Sequence, residues 1–277
     1  MNNIYITDLD HTLLRSDFTL SSFTKQIWNH TSKDSIVSIA TARSFYSATH
    51  LLQDFEINAP MILLDGAFIV TSDKQVIDTK FINKDIANDL IQEAIAFDNL
   101  HPFVIGLKDR YLNESFDFPL QKTQTQEHLL NNFKDDPRLE HYKNVYATDK
   151  TFKVVYMGTY EQMFPLTEHL QSRYADYFDF KLSPEKYSGG YFLTIVAPGV
   201  DKAHGLRMVC EYLNQDPKDI TVFGDSINDI GMFKLAGMSV AVSNALNELK
   251  EHADLISQHT NDEDAVAKYL DTILHYK

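Results

Sequence analysis

Short apolar runs alternate with amphipathic helical patterns at both ends of this chain, break off in the middle, and then resume. That interrupted rhythm constrains the fold most, because strand–helix alternation is the mark of a parallel sheet wrapped by helices. The opening strand Ile4-Tyr5-Ile6-Thr7 leads to a helical stretch around Ile27 and Trp28, and then to a second strand, Ser35-Ile36-Val37-Ser38-Ile39-Ala40. Phe45, Ala48, Leu52 and Phe55 mark one face of the next helix. A third strand, Pro60-Met61-Ile62-Leu63-Leu64, ends at Asp65-Gly66. From Pro198 the alternation returns: helix 202–213, strand Ile220-Thr221-Val222-Phe223, helix 229–236, strand Ser239-Val240-Ala241-Val242. The middle reads differently, with helices around Ile86–Ile95 and over 161–174, and strands at 103–107 and 152–157. A last hairpin there turns at Ser188-Gly189-Gly190 and returns as Tyr191 to Val196, while 108–150 is polar and irregular. The expected fold is α/β: a Rossmann-like parallel-sheet core from residues 1–81 and 197–277, with an α+β domain inserted over 82–196.

The opening strand empties into Asp8-Leu9-Asp10-His11-Thr12. In an extended backbone residues i and i+2 point to one side, so Asp8 and Asp10 are expected to converge. Two like charges held together repel unless a cation or a shared proton compensates. Three further segments fall where an open parallel sheet places its sites, at the carboxyl ends of strands. Thr41-Ala42-Arg43 brings a hydroxyl, backbone N–H groups and a guanidinium to a helix start, a combination suited to phosphate. Lys202 stands at the start of a helix, where its charge opposes the helix dipole and a bound anion would relieve the conflict. Gly224-Asp225-Ser226-Ile227-Asn228-Asp229 follows an apolar strand and supplies the hard oxygen ligands that Mg²⁺ takes. Singly, each has an ordinary reading: a turn, an N-cap at Thr41, a surface lysine, a capping turn. Four compatible strand ends together do not.

Composition narrows the partners. A formal net charge of -14 and a pI near 5.1 oppose binding to nucleic acid or an anionic membrane, so a phosphate would need local positive charge. No run approaches the roughly 20 apolar residues of a spanning helix, and Asp8 interrupts the one apolar stretch that a signal peptide would need. A single cysteine excludes an internal disulfide and a cysteine-based zinc site; Cys210 sits in a helical pattern with Ala203, Leu206 and Leu213 and reads as a buried hydrophobe. The eleven histidines show no metal spacing, and His11 reads as a neighbour of the site. A cytoplasmic protein acting on a small phosphorylated metabolite is expected.

These segments together resemble the haloacid dehalogenase superfamily of Mg²⁺-dependent phosphatases. Asp8-Leu9-Asp10-His11-Thr12 looks like its first motif, Thr41 matches the hydroxyl of the second, Lys202 the lysine of the third, and Gly224 to Asp229 the fourth. Tyr191 to Lys202 and Val240 to Ala245 are similar to the flanking segments. An insertion between the second and third motifs resembles the type IIB cap of the Cof-like members. Three positions depart from that pattern: Asp65-Gly66-Ala67 stands where Asn-Gly-Ala is usual, and Ala42 and Ala265 replace glycines.

The resemblance implies that Asp8 is the nucleophile and Asp10 the acid/base. It implies phosphate contacts from Thr41, Lys202 and Asn228, with Mg²⁺ held by Asp8, Asp10 (main-chain carbonyl) and Asp225, and by Asp229 through water. Ala42, Arg43, Asp65, Gly189 and Gly190 are accessory candidates, the two glycines because the hairpin Tyr187 to Tyr191 precedes the return to the core. It implies that the cap selects the substrate. The alternatives are a phosphotransferase of the phosphomannomutase type and a non-catalytic metabolite-binding protein.

Overall fold

The computed structural model describes residues 3–131, 133–184 and 189–275. In chain order its elements begin with β1 (Ile4–Thr7), α1 (Ser22–Thr31), β2 (Ile36–Ile39), α2 (Phe45–Leu51), β3 (Met61–Leu63), β4 (Phe68–Val70) and β5 (Val76–Thr79). The middle carries α3 (Lys84–Asp98), β6 (Phe103–Leu107), β7 (Glu114–Pro119), α4 (Gln124–Asn131), β8 (Leu139–Tyr142), β9 (Thr151–Gly158), α5 (Tyr160–Tyr174), β10 (Asp179–Pro184) and β11 (Tyr191–Val196). The final third runs through α6 (Lys202–Leu213), β12 (Ile220–Gly224), α7 (Ile230–Leu235), β13 (Met238–Ala241), α8 (Asn247–Lys250), β14 (Leu255–Ile256) and α9 (Ala265–His275). The chain divides into two compact units, Met1–Thr79 with Asp201–Lys277, and Lys80–Val200.

In the first unit a five-stranded sheet has the order β14-β13-β12-β1-β2, every neighbouring pair parallel. β1 is buried along its length, as its uninterrupted apolar run requires of a strand covered on both faces. From β1 the chain moves to β2 on one side and returns at β12 on the other. The carboxyl ends of β1 and β12 therefore form a topological switch point, the place where open α/β sheets bind ligands. The register pairs Thr7 with Phe223, setting Asp8 beside Gly224 and Asp225. Ile4, Ile6, Leu206, Val209, Val222 and Met232 belong to one buried cluster, and Cys210 with them; burial, then Asp216, pushes its thiol up to about 11.

The third strand corrects the sequence expectation. β3 does not continue the parallel sheet but pairs antiparallel with β4, which pairs antiparallel with β5; one parallel bridge, Ala40 with Ile62, links β3 to the end of β2. The chain reverses at Leu64, Asp65 and Gly66, with φ of 52°, 57° and 96°. A Cβ on Gly66 would lie 2.0 Å from the Asp201 carbonyl oxygen, so the reversal needs glycine for space as well as for φ. The helix expected over 229–236 is α7, entered from a short turn, Ile227–Asp229.

The second unit is α+β. Its six-stranded sheet, order β10-β11-β9-β6-β7-β8, is antiparallel except for the β7–β8 pair. β9 is buried throughout, and Phe103, Phe116, Phe118, Val155 and Met157 form its aromatic-rich core. The irregular stretch 108–150 resolves into β7, α4 and β8. Of the hairpin turn between β10 and β11, Tyr187 and Ser188 lie outside the described residues. Among the described residues no helix is long and apolar enough to cross a membrane.

Candidate active site

β1 ends at Thr7, and the Asp8 N–H donates to the Phe223 carbonyl at 3.0 Å, the last rung of the β1–β12 ladder. Beyond it, Leu9–Leu13 forms a wide turn with His11 at φ 60°. Asn244 Nδ2 fixes that turn by donating to the His11 carbonyl at 2.9 Å, and the Asn244 carbonyl oxygen Oδ1 accepts from Asn261 N at 2.8 Å. Asp8 and Asp10 take different partners across this turn. Asp8 is buried, accepting from Lys202 Nζ at 2.6 Å and from Thr12 Oγ1 at 3.3 Å. Asp10 turns to Arg43, whose Nε and Nη2 meet its carboxylate at 2.8 and 2.6 Å. Arg43 is itself held by Ser47 Oγ at 3.1 Å and lies over the Phe18 ring. Each carboxylate thus has its own cationic partner, and the charge of Asp10 still reaches Asp8.

Asp225 follows β12 and is buried. Asp229 Oδ2 accepts from the backbone N–H groups of Asp225 and Ser226 at 3.0 and 3.1 Å, which folds the loop back on itself. Gly224 makes this possible, since a Cβ there would sit 2.6 Å from the Asp229 carboxyl carbon. Asp229 Oδ1 accepts from Lys202 Nζ at 2.6 Å. Lys202 is the first residue of α6, behind Asp201, whose side chain caps the helix by accepting from His204 N at 2.6 Å. Its ammonium is fully buried (0% exposed), which overturns the reading of a surface lysine.

Asp8, Asp225 and Asp229 offer ligand oxygens within 4.8 Å of one another, all three residues buried. Three carboxylates against one ammonium leave the cluster two charges negative. Burial is the largest influence on Asp8 and pushes it well above the usual carboxylate range; Lys202 opposes this, while Asp229, Asp225 and Asp10 add to it. Burial alone would push Lys202 down, but Asp229, Asp8 and Asp65 together outweigh it and hold the ammonium above the ordinary lysine value. Both shifts are upward, by burial first and neighbouring carboxylates second at Asp8, and by the carboxylates against burial at Lys202. A compact set of hard oxygen donors with two uncompensated charges fits a small divalent cation such as Mg²⁺.

Thr41 is buried; its Oγ1 accepts from Arg43 N at 3.1 Å, and its N–H donates to Ile62 O at 2.8 Å. It is not a helix N-cap: α2 starts later and is capped by Ser44. Ala42 is exposed in the bend between them. Asn228 is exposed, with Nδ2 donating to Asp65 Oδ1 at 3.0 Å and Oδ1 accepting from Ser226 Oγ at 2.7 Å. Gly189 and Gly190 belong to the other unit; Gly189 has φ 72°, and a Cβ on Gly190 would meet Thr125 Cγ2 at 2.6 Å. Sequence reasoning missed the Arg43–Asp10 pairing; Asn244 lay within the Val240 to Ala245 segment that carried the resemblance, but its hold on the His11 turn was not read from it.

A family model described as haloacid dehalogenase-like hydrolase matches residues 5–270. The stress response protein YhaX of Bacillus subtilis (strain 168) is 27% identical over 278 residues, covering 94% of this chain and 89% of its own length. The 5-amino-6-(5-phospho-D-ribitylamino)uracil phosphatase YwtE of the same organism is 25% identical over 287 residues, 96% of each chain. The crystal structure of TM0651 from Thermotoga maritima matches with a TM-score of 0.80 and 26% identity, covering 98% of this chain and 97% of that one. Likeness of this extent runs through both units, and the chain belongs to the haloacid dehalogenase-like hydrolase family.

Proposed function

We propose that the protein is a Mg²⁺-dependent phosphatase that hydrolyses small phosphorylated metabolites through an aspartyl-phosphate on Asp8. The observation that carries this reading is the buried chain Asp8–Lys202–Asp229, closed at 2.6 Å on both sides, with Asp225 in the same cluster. Asp8 attacks phosphorus; the O–P bond forms as the ester P–O bond breaks, and Asp10 donates its proton to the departing alkoxide. Asp10 then takes a proton from the water that attacks the aspartyl-phosphate, releasing inorganic phosphate and free Asp8. Arg43 orients the Asp10 carboxylate for both transfers. Lys202 has three N–H donors, and with two on Asp8 and Asp229 the third is assigned to a phosphate oxygen. Thr41 adds its hydroxyl proton and Asn228 its amide. Mg²⁺, held by Asp8, Asp225 and the Asp10 main-chain carbonyl, would neutralise the negative charge that nucleophile and phosphate share. Asp229, its oxygens committed to Lys202 and to two backbone N–H groups, orients these neighbours. Selection of the leaving group is shared with the inserted unit, the part that the resemblance to type IIB caps gives it. YwtE, by its name, acts on a phosphoribityl compound, a substrate of this class.

The test is phosphate release across a panel of phosphorylated metabolites, comparing the wild type with Asp8→Asn. The variant should fold and lose turnover; activity above a trace of wild type would sink the assignment.

A further inference from the structure

Asp65 is an acidic group near this cluster to which the proposed chemistry gives no part. Its backbone is tied on two sides. The Asp65 N–H donates to the Thr41 carbonyl at 2.9 Å, and the Leu64 N–H to the Arg43 carbonyl at 3.0 Å. On the other side Gly66 packs against the Asp201 carbonyl, at the start of the helix that carries Lys202. Leu64 and Asp65 both lie in the left-handed region, a conformation that costs a non-glycine residue about 1–2 kcal/mol. The turn is thus clamped between the Thr41 segment and the N-terminus of α6, and its side chain has a defined place. That place is at the rim: Asp65 is half-buried, and its Oδ1 accepts from the exposed Asn228 amide at 3.0 Å. Its charge also reaches Lys202, which it helps to keep protonated. The carboxylate therefore meets Asn228 and acts on Lys202, two of the groups assigned to phosphate, while its backbone is tied to Thr41, the third; it carries the sign of the substrate. A group of that sign adds nothing to phosphate binding. What it can do is discriminate among leaving groups.

We infer that Asp65 is a specificity-determining residue: it favours phosphomonoesters whose leaving group is neutral or cationic and donates hydrogen bonds, and disfavours those carrying a second anionic group. The inference rests on the phosphatase reading above. Hydroxyl or ammonium donors near the ester oxygen find an acceptor in the Asp65 carboxylate, whereas a carboxylate or second phosphate there meets a like charge. Between partly solvated unit charges a few ångströms apart that repulsion is worth about tenfold in rate or more.

Three small substrates that differ chiefly in leaving-group charge test it: O-phosphoethanolamine, glycerol 3-phosphate and phosphoglycolate, with p-nitrophenyl phosphate as reference. For the wild type, kcat/KM should fall by about tenfold from glycerol 3-phosphate to phosphoglycolate. It should be highest for O-phosphoethanolamine. Asp65→Asn keeps the hydrogen-bonding shape and tolerates the left-handed backbone; it should bring the two extremes to within about twofold and tighten competitive inhibition by inorganic phosphate. A salt titration of the wild type needs no variant. Raising ionic strength from about 0.01 M to 0.15 M, which shortens the screening length from ~30 to ~8 Å, should shrink the same ratio. An unchanged order in Asp65→Asn overturns the inference. Hydrolysis of p-nitrophenyl phosphate with no charge order overturns it alone, whereas failure of all four substrates overturns the phosphatase reading beneath it.

Discussion

Lys202→Met removes one ammonium from a cluster that already holds too few. Methionine keeps the unbranched apolar stem, so the change is chiefly one of charge. Asp8 and Asp229 each meet the ammonium at 2.6 Å, and the Lys202 side chain is 0% exposed, so water cannot take its place without rearrangement. Removing one partner of a buried ion pair costs about 3–5 kcal/mol, because a buried charge is left without compensation. At 2–4 °C per kcal/mol for a domain of this size, the unfolding midpoint should fall by roughly 6–20 °C. Trp28, the single tryptophan, is buried in the same unit, so its fluorescence during heating in EDTA reports this transition. The loss should also depend on pH with a definite sign. Asp8 lies above the ordinary carboxylate value of 3.8 in the folded protein, and the variant would raise it further. Between those two values the folded state binds more protons than the unfolded one, so the variant's stability falls as pH rises through that window. A divalent cation should return part of the loss, by about 2.7 kcal/mol at a hundred times its dissociation constant. A loss below about 1 kcal/mol, or one independent of both pH and cation, would refute the view of an under-compensated buried cluster.

Other perturbations separate the parts of the site. Excess EDTA should stop phosphate release and added Mg²⁺ restore it, an unchanged rate after chelation excluding the cation's part. Arg43→Ala should slow alkyl phosphates by roughly tenfold or more, a share of the 10²–10⁴ that general acid–base catalysis contributes, while leaving p-nitrophenyl phosphate within about threefold because its leaving group needs no proton. Equal losses on both substrates would instead mean that Arg43 meets the phosphate. Gly224→Ala should displace Asp229, whose carboxyl carbon lies 2.6 Å from the added methyl group, and lower stability by about 1–3 kcal/mol together with activity; an unaffected midpoint by calorimetry would contradict that packing.

The parallel core was legible because its strands are buried on both faces and read as plain apolar runs: Ile4 to Thr7, Ile220 to Phe223, Ser239 to Val242. β3 was legible as a strand but not in its direction. A short apolar run looks the same in a parallel and an antiparallel sheet. What decides between them is the left-handed turn at Leu64 to Gly66, of which only the glycine carries a sequence signal. Phe68-Ile69-Val70 then pairs back on β3. In the inserted unit, β8 was hidden because an edge strand with half-exposed residues has no apolar signature.

The site shows the same division between what is local and what is not. Asp8 and Asp225 were readable because each stands at the exit of a buried strand. The pairing of Asp10 with Arg43 was not, since two side chains 33 residues apart meet only after β1 and β2 have paired. Lys202 is the instructive case. A lysine at the first position of a helix opposes the dipole, and sequence alone exposed that conflict. Its resolution comes from Asp8 and Asp229, 194 and 27 residues away, together with the Asp201 cap. A cation fully buried at the positive end of a helix keeps its proton only where neighbouring acidic groups outweigh the burial. Here Asp8, Asp229 and Asp65 act on it, and the surplus of carboxylates in the Asp8, Asp225 and Asp229 cluster is what a divalent ion would balance. The broken local rule and the inferred cation site are therefore two expressions of one charge imbalance. That is why the residue least suited to its place in the sequence marks the centre of the charged cluster.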